Sequence, residues 1–232
     1  MAYAGNEKKK SKKKTIEALT LFDGKSFKGW RGYNRTDIPA AWTIEDNSLK
    51  INSRKNSEGQ MKSDRGDIIY DRKFKNFELT FEYKVSKGAN SGILYLIKED
   101  PKEDAYKSAP EYQVLDNENH PDAQKGVNKN RRSASLYDIL PADPQNAKPY
   151  GNWNKGGISV IDGKVSHYQN GKKVVEYELW TPAWKEMVSN SKFKSWPEFL
   201  NAGGEERAGY IGLQDHRDDV LYRNVKIKVL ED

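Results

Sequence analysis

An all-β sandwich with one minor helix is the fold class this sequence predicts. Three observations carry that expectation. Short runs alternate apolar and polar residues along most of the chain, Asp-Gly and Asn-Gly pairs punctuate them, and nowhere do strands and helices alternate in the βαβ manner. A two-residue side-chain period buries one face of a strand and wets the other, so many such runs demand two sheets packed face to face.

In chain order, residues 1–15 form a basic tail of low complexity that is expected to be disordered, and a single domain is expected over residues 16–232. Ala18-Leu19-Thr20-Leu21-Phe22 reads as a strand closed by the turn Asp23-Gly24. Trp42 to Glu45 and Leu49 to Ile51 read as a hairpin joined through Asp46-Asn47. Phe77 to Val85 alternates throughout, Phe77, Leu79, Phe81, Tyr83 and Val85 facing one way, as a half-buried antiparallel strand does. Ser91 to Ile97 is apolar on both faces, which places it deep in a sheet, and Gly92 within it marks a close approach to the backbone. Ser135 to Leu140 reads as a strand stopped by Pro141 and Pro144. A meander follows, with turns at Asp162-Gly163 and Asn170-Gly171, the strongest short hairpin signals there are. Thr181 as N-cap and Pro182 open the one expected helix, Ala183 to about Lys192. The chain closes on strands at Gly209 to Leu213 and Val220 to Leu230, and the first and last strands are expected to pair.

Charge and composition narrow the function. The net charge of +6 equals the six lysines of Lys8-Lys9-Lys10-Ser11-Lys12-Lys13-Lys14, so the remaining body is close to neutral. No basic patch with interleaved aromatics recurs, which argues against a nucleic-acid partner. The chain has no cysteine, excluding disulfides, thiolate metal sites and Cys nucleophiles together. No run is long or apolar enough to span a membrane, and no apolar segment follows the lysines as in a signal peptide. A mature exported protein, its polar N-terminus the linker out of a membrane anchor, fits these features.

The site is expected around Glu111-Tyr112-Gln113-Val114-Leu115-Asp116-Asn117-Glu118-Asn119-His120. Here a strand places Glu111 and Gln113 on one face, then breaks into a loop of acids, amides and an imidazole. Polar groups on an interior strand must find partners or line a groove. The chain has three histidines, His120, His167 and His216. His216 is the strongest candidate, because Gln214 and His216 share a side where an apolar strand meets a loop, and an imidazole exchanges protons near neutral pH. Trp153 between Asn152 and Asn154 suits the stacking of a sugar ring, whereas Trp30, Trp42, Trp184 and Trp196 read as core or loop anchors. Acidic loops offer oxygen donors to a divalent cation, although no spacing matches a calcium loop. Phosphate loops, serine nucleophile elbows and zinc spacings are absent from the sequence.

Leu21-Phe22-Asp23-Gly24 with Gly29-Trp30, Asn90-Ser91-Gly92-Ile93, Glu111 to Asp116, His120-Pro121-Asp122-Ala123, Ser135 to Asp138, Trp153-Asn154, Asn170-Gly171 and Gln214-Asp215-His216 with Arg223 to Ile227 recur in order. As a set they resemble the 3-keto-disaccharide hydrolase family, from Ile16 to the C-terminus. The resemblance implies a concanavalin-like jelly roll, export to the bacterial periplasm or outer membrane in many members, and activity on sugars already oxidised at C3. A ketone there acidifies the C2 hydrogen, so elimination can replace ordinary glycoside hydrolysis, which uses two carboxylates around an oxocarbenium-like centre. On that reading Glu111, His120, His216 and Asp116 are the expected acid and base groups. Gln113, Lys125, Arg131, Tyr137, Trp153 and Gln214 are expected to hold the substrate or stabilise the enolate. The need for a divalent metal and the oligomeric state stay open, and a non-catalytic carbohydrate-binding module is the alternative.

Overall fold

The computed structural model describes residues 13–51 and 64–232; most of the basic tail lies outside them. Two antiparallel sheets pack face to face. The larger contains β1 (Thr15–Thr20), β3 (Trp42–Glu45), β4 (Ser48–Ile51), β6 (Phe77–Val85), β9 (Asn154–Ile161), β10 (Lys164–Gln169), β11 (Lys172–Glu178) and β13 (Val220–Leu230). Its order is β11-β10-β9-β6-β13-β4-β3, with β1 also on β13. The smaller contains β2 (Trp30–Gly32), β5 (Ile68–Phe74), β7 (Asn90–Ile97), β8 (Glu111–Leu115) and β12 (Gly209–Leu213), in the order β2-β5-β12-β7-β8.

The alternating runs behave as their period demands. In β6 the odd members Phe77, Leu79, Phe81, Tyr83 and Val85 are all buried, and the charged members between them are not. The Trp42 hairpin pairs Thr43 with Lys50, and both Asp46 and Asn47 hold positive φ, 49° and 56°, as the turn matching strand twist requires. First and last strands pair, Ala18 against Lys228 and Thr20 against Lys226. β1 begins three residues ahead of the expected Ala18, where Lys14 and Glu231 exchange two hydrogen bonds of 3.0 Å beyond it, and it ends at Thr20 rather than Phe22, since the N–H groups of Leu21 and Phe22 both turn onto the Val225 carbonyl.

Two expectations need correction. Ser135 to Leu140 is no strand: Leu136 makes isolated bridges to Tyr112 and Leu140, and left-handed backbone at Ala134 and Asp138 (φ 65° and 61°) winds the segment into turns. The winding buries Leu136 and half-buries Tyr137, Ile139 and Leu140 against the core, which imitates a strand's pattern. The helix α1 (Pro182–Ser189) stops short of Lys192, since Asn190 turns its N–H back onto the carbonyls of Glu186 and Met187. Its start is as read, with Thr181 Oγ1 accepting from the Trp184 N–H at 3.1 Å. A second, single-turn helix α2 (Pro197–Leu200) carries Phe199 onto Trp184, the rings 5.7 Å apart.

Between the sheets lies one large apolar cluster that includes Trp30, Trp42 and Trp184, while Trp196 packs at its edge. His167 is wholly buried inside it rather than on the surface. Its Nδ1 lies 3.0 Å from the Ala134 carbonyl, which can only accept, so Nδ1 carries the proton and Nε2 accepts from the Tyr95 hydroxyl at 2.8 Å. A smaller cluster of Ile69, Leu94, Ile97, Ala105 and Ala109 sits on the outer face of the five-stranded sheet. There the segment around Ala105–Lys107 folds back across the sheet and raises a wall beside its open half.

Candidate functional site

The open half of that outer face is floored by β8, β7 and β12. Tyr112 and Val114 enter the core, so Glu111 and Gln113 face outward. Gly92 sits between the strands: it pairs with Gln113, and its carbonyl accepts from the Gln214 N–H at 2.9 Å. A Cβ on Gly92 would collide with the Glu111 carboxyl group, so the missing side chain is what lets that carboxyl lie flat on the sheet. Glu111 is only 7% exposed. Burial pushes its carboxyl up to about 8, with the Lys192 ammonium opposing and the negative charges of Asp67 and Asp122 adding to the rise. At neutral pH it is mainly protonated.

Beside this floor opens a cleft of about 590 Å³, lined by Tyr33, Asp67, Tyr106, Gln214 and His216 among others. Asp67 precedes β5, and its Oδ1 accepts from the Asp215 N–H at 2.8 Å, while Asp215 Oδ2 accepts from the Gly66 N–H at 3.0 Å. The two loops are thereby clasped together. Burial, then the neighbouring charges of Asp215 and Asp104, push the Asp67 carboxyl up to about 7 against that hydrogen bond. Two carboxyl groups raised towards or past neutrality on one surface are suited to proton transfer near neutral pH.

Two histidines complete this surface. The His120 and His216 rings stand edge to face, centroids 5.9 Å apart. His120 caps the short turn Pro121–Gln124, its Nδ1 accepting from the Asp122 N–H at 3.1 Å, so the neutral ring carries its proton on Nε2. Buried Asp218 accepts from the Asn90 N–H at 2.9 Å, and ligand atoms of His120, His216 and Asp218 lie within 4.8 Å of one another. Next to them Arg131 bridges Asp122 at 3.0 Å and Asp138 at 2.6 Å, while the Tyr137 hydroxyl donates to Asp122 at 2.7 Å. Burial raises the Asp122 carboxyl, but Tyr137 and Arg131 outweigh it and hold the group below the usual carboxylate range. The Lys192 ammonium lies 4.1 Å above the Tyr137 ring.

The sequence-derived residues divide accordingly. Glu111, His120, His216, Gln214, Tyr137 and Arg131 gather on this face, Arg131 with its charge engaged by two carboxylates. Gln113 is outward but sealed, 1% exposed, with its amide oxygen accepting from the Val114 N–H. Lys125 is exposed on the following loop and adds positive charge near Asp122. Asp116 is a loop organiser: its two oxygens accept from the N–H groups of Gly88, Glu118 and Asn119 and from the Asn119 amide. Trp153 is remote, over the outer face of the larger sheet, with the guanidinium of Arg223 3.9 Å and the ammonium of Lys84 5.0 Å from its ring. Asp67, Asp218 and Lys192 escaped the sequence reading. Asp67 and Asp218 look like turn acids in sequence, and Lys192 like a helix-end cation; nothing local sets them apart.

The profile of the 3-keto-alpha-glucoside-1,2-lyase-like domain matches residues 17–228. A 3-keto-disaccharide hydrolase of Bacteroides thetaiotaomicron is 54% identical over 228 residues, spanning 92% of this chain and 78% of that protein. The crystal structure of a candidate glycosyl hydrolase from Parabacteroides distasonis ATCC 8503 superposes with a TM-score of 0.79 at 28% identity, covering 92% of this chain and 94% of that one. A Bacillus subtilis protein with a galectin-like fold, 12% identical, superposes at 0.56 over 94% of this chain and 97% of its own, a likeness of fold alone.

Proposed function

The chain belongs to the 3-keto-alpha-glucoside-1,2-lyase-like domain family, and we propose that it cleaves glycosidic bonds of sugars bearing a ketone at C3 by elimination across C1 and C2. A base removes the C2 proton, whose acidity the ketone creates, and the electron pair is held as an enolate. That pair then forms the C1=C2 bond as the C1–O bond breaks, and the leaving oxygen takes a proton. Water adding to C1, with a proton returned to C2, completes a net hydrolysis.

Each step has a group of suitable chemistry. Asp67, poised at about 7 on the cleft wall, is the base. Glu111, protonated at neutral pH, is the acid for the leaving oxygen, and Lys192 supplies positive charge that favours the enolate. Gln214 and His216 line the cleft and hydrogen-bond the sugar. The observation that carries this reading is the pair of raised carboxyl groups on one open sheet face.

Proton NMR of a 3-keto-disaccharide incubated with the protein in heavy water tests it. Cleavage with deuterium entering at C2 is expected. Cleavage without exchange into C2 removes the elimination route. If neither occurs while unoxidised oligosaccharides quench the tryptophan fluorescence, the chain is a carbohydrate-binding module instead.

A further inference from the structure

We propose that His120, His216 and Asp218, joined by the side-chain oxygen of Asn90, form a binding site for one first-row divalent cation. The three groups come from two loops that meet only in the fold, the one after β8 and the one between β12 and β13. Ligand atoms on a cation with bonds of about 2.1 Å sit roughly 3 to 3.5 Å apart, and these lie within 4.8 Å of one another. A small rotation of the exposed His216 ring closes the set.

Asn90 is the independent observation. It is 3% exposed, and its Oδ1 has no hydrogen-bond partner, which is rare for a buried polar atom. Its backbone N–H binds Asp218, and it stands two residues before Gly92, hence on the same outward face of β7. A cation held by the other three would give this oxygen the partner it lacks. Two imidazoles, a carboxylate and an amide oxygen suit Mn²⁺, Fe²⁺, Co²⁺ or Zn²⁺ rather than the all-oxygen preferences of Ca²⁺ or Mg²⁺.

Binding has one structural consequence. His120 can ligate through Nε2 only if its proton moves to Nδ1, because a ligating imidazole donates through its other nitrogen. The 3.1 Å bond from the Asp122 N–H to Nδ1 is then given up. The Asp122 amide therefore reports on occupancy.

This site goes beyond the proposed reaction and does not rest on it, so it is tested without sugar. The full chain, free of any affinity tag, is treated with chelator, dialysed, and titrated with Zn²⁺ and, separately, with Co²⁺. One equivalent of either is expected, with Co²⁺ giving visible d–d bands and Zn²⁺ shifting the Asp122 amide resonance. His216→Ala, at an exposed position that folding tolerates, is expected to weaken binding by at least about 100-fold, and Asn90→Ala by about 10-fold. No uptake by the wild-type chain, or unchanged affinity in folded His216→Ala, overturns the proposal. Deuterium exchange into a 3-keto-sugar is a separate readout, so failure of either reading leaves the other intact.

Discussion

Glu111 shows how burying one carboxyl ties the stability of the fold to pH. Its carboxyl is raised from 4.5 to about 8 because the folded chain buries it on the sheet. The folded state therefore binds this proton more tightly than the unfolded chain, and the stabilisation is full below pH 4.5 and is lost as pH rises through 8. Replacing the group by an amide of the same shape removes that loss. Glu111→Gln is expected to match the wild type at pH 4.5 and to exceed it by on the order of 2 kcal/mol at pH 8 in urea denaturation, while kcat on a 3-keto-disaccharide falls about 100-fold or more. A variant that is no more stable at pH 8, or that turns over normally, contradicts the role given to this carboxyl.

At the scale of elements, β7 and the loop after β8 place the site. A side chain on Gly92 of β7 would strike the Glu111 carboxyl group. Gly92→Ala is thus expected to destabilise the fold by about 1 to 3 kcal/mol, an overpacking cost, and, if Glu111 acts as proposed, to lose activity out of proportion to that cost because its carboxyl is displaced. Activity equal to wild type would show that the contact relaxes freely. Asp116 ties Gly88, Glu118 and Asn119 to one carboxylate directly ahead of His120. Asp116→Ala is expected to leave the fold assembled and to accelerate amide exchange at those three residues. Unchanged exchange would remove the loop-organising role.

Across the whole molecule, the buried His167 links acid stability to the core. Its folded value falls from 6.5 to about 4 because burial disfavours the cation. The unfolded chain then binds the proton first, so the contribution is complete above pH 6.5 and is lost as pH falls towards 4, by about 3 kcal/mol. Urea titrations between pH 7 and 4 are expected to show this loss, and His167→Gln to flatten it; an identical slope in the variant would place the acid sensitivity elsewhere. The alternating period of β6, the Asp46-Asn47 turn and the Thr181 cap are legible in sequence because each is decided by residues within a few positions. The Ser135 segment misleads for the same reason, since turns and strands can bury the same alternation. The sequence by itself determined the sandwich, its pairing ends and the polar face of β8. Only the tertiary structure decided that Asp67 and Lys192 join Glu111, that Asp218 joins His120 and His216, that Trp153 lies on the far side, and that His167 is core. Proximity across sheets and loops depends on how distant segments pack, and no local pattern encodes it.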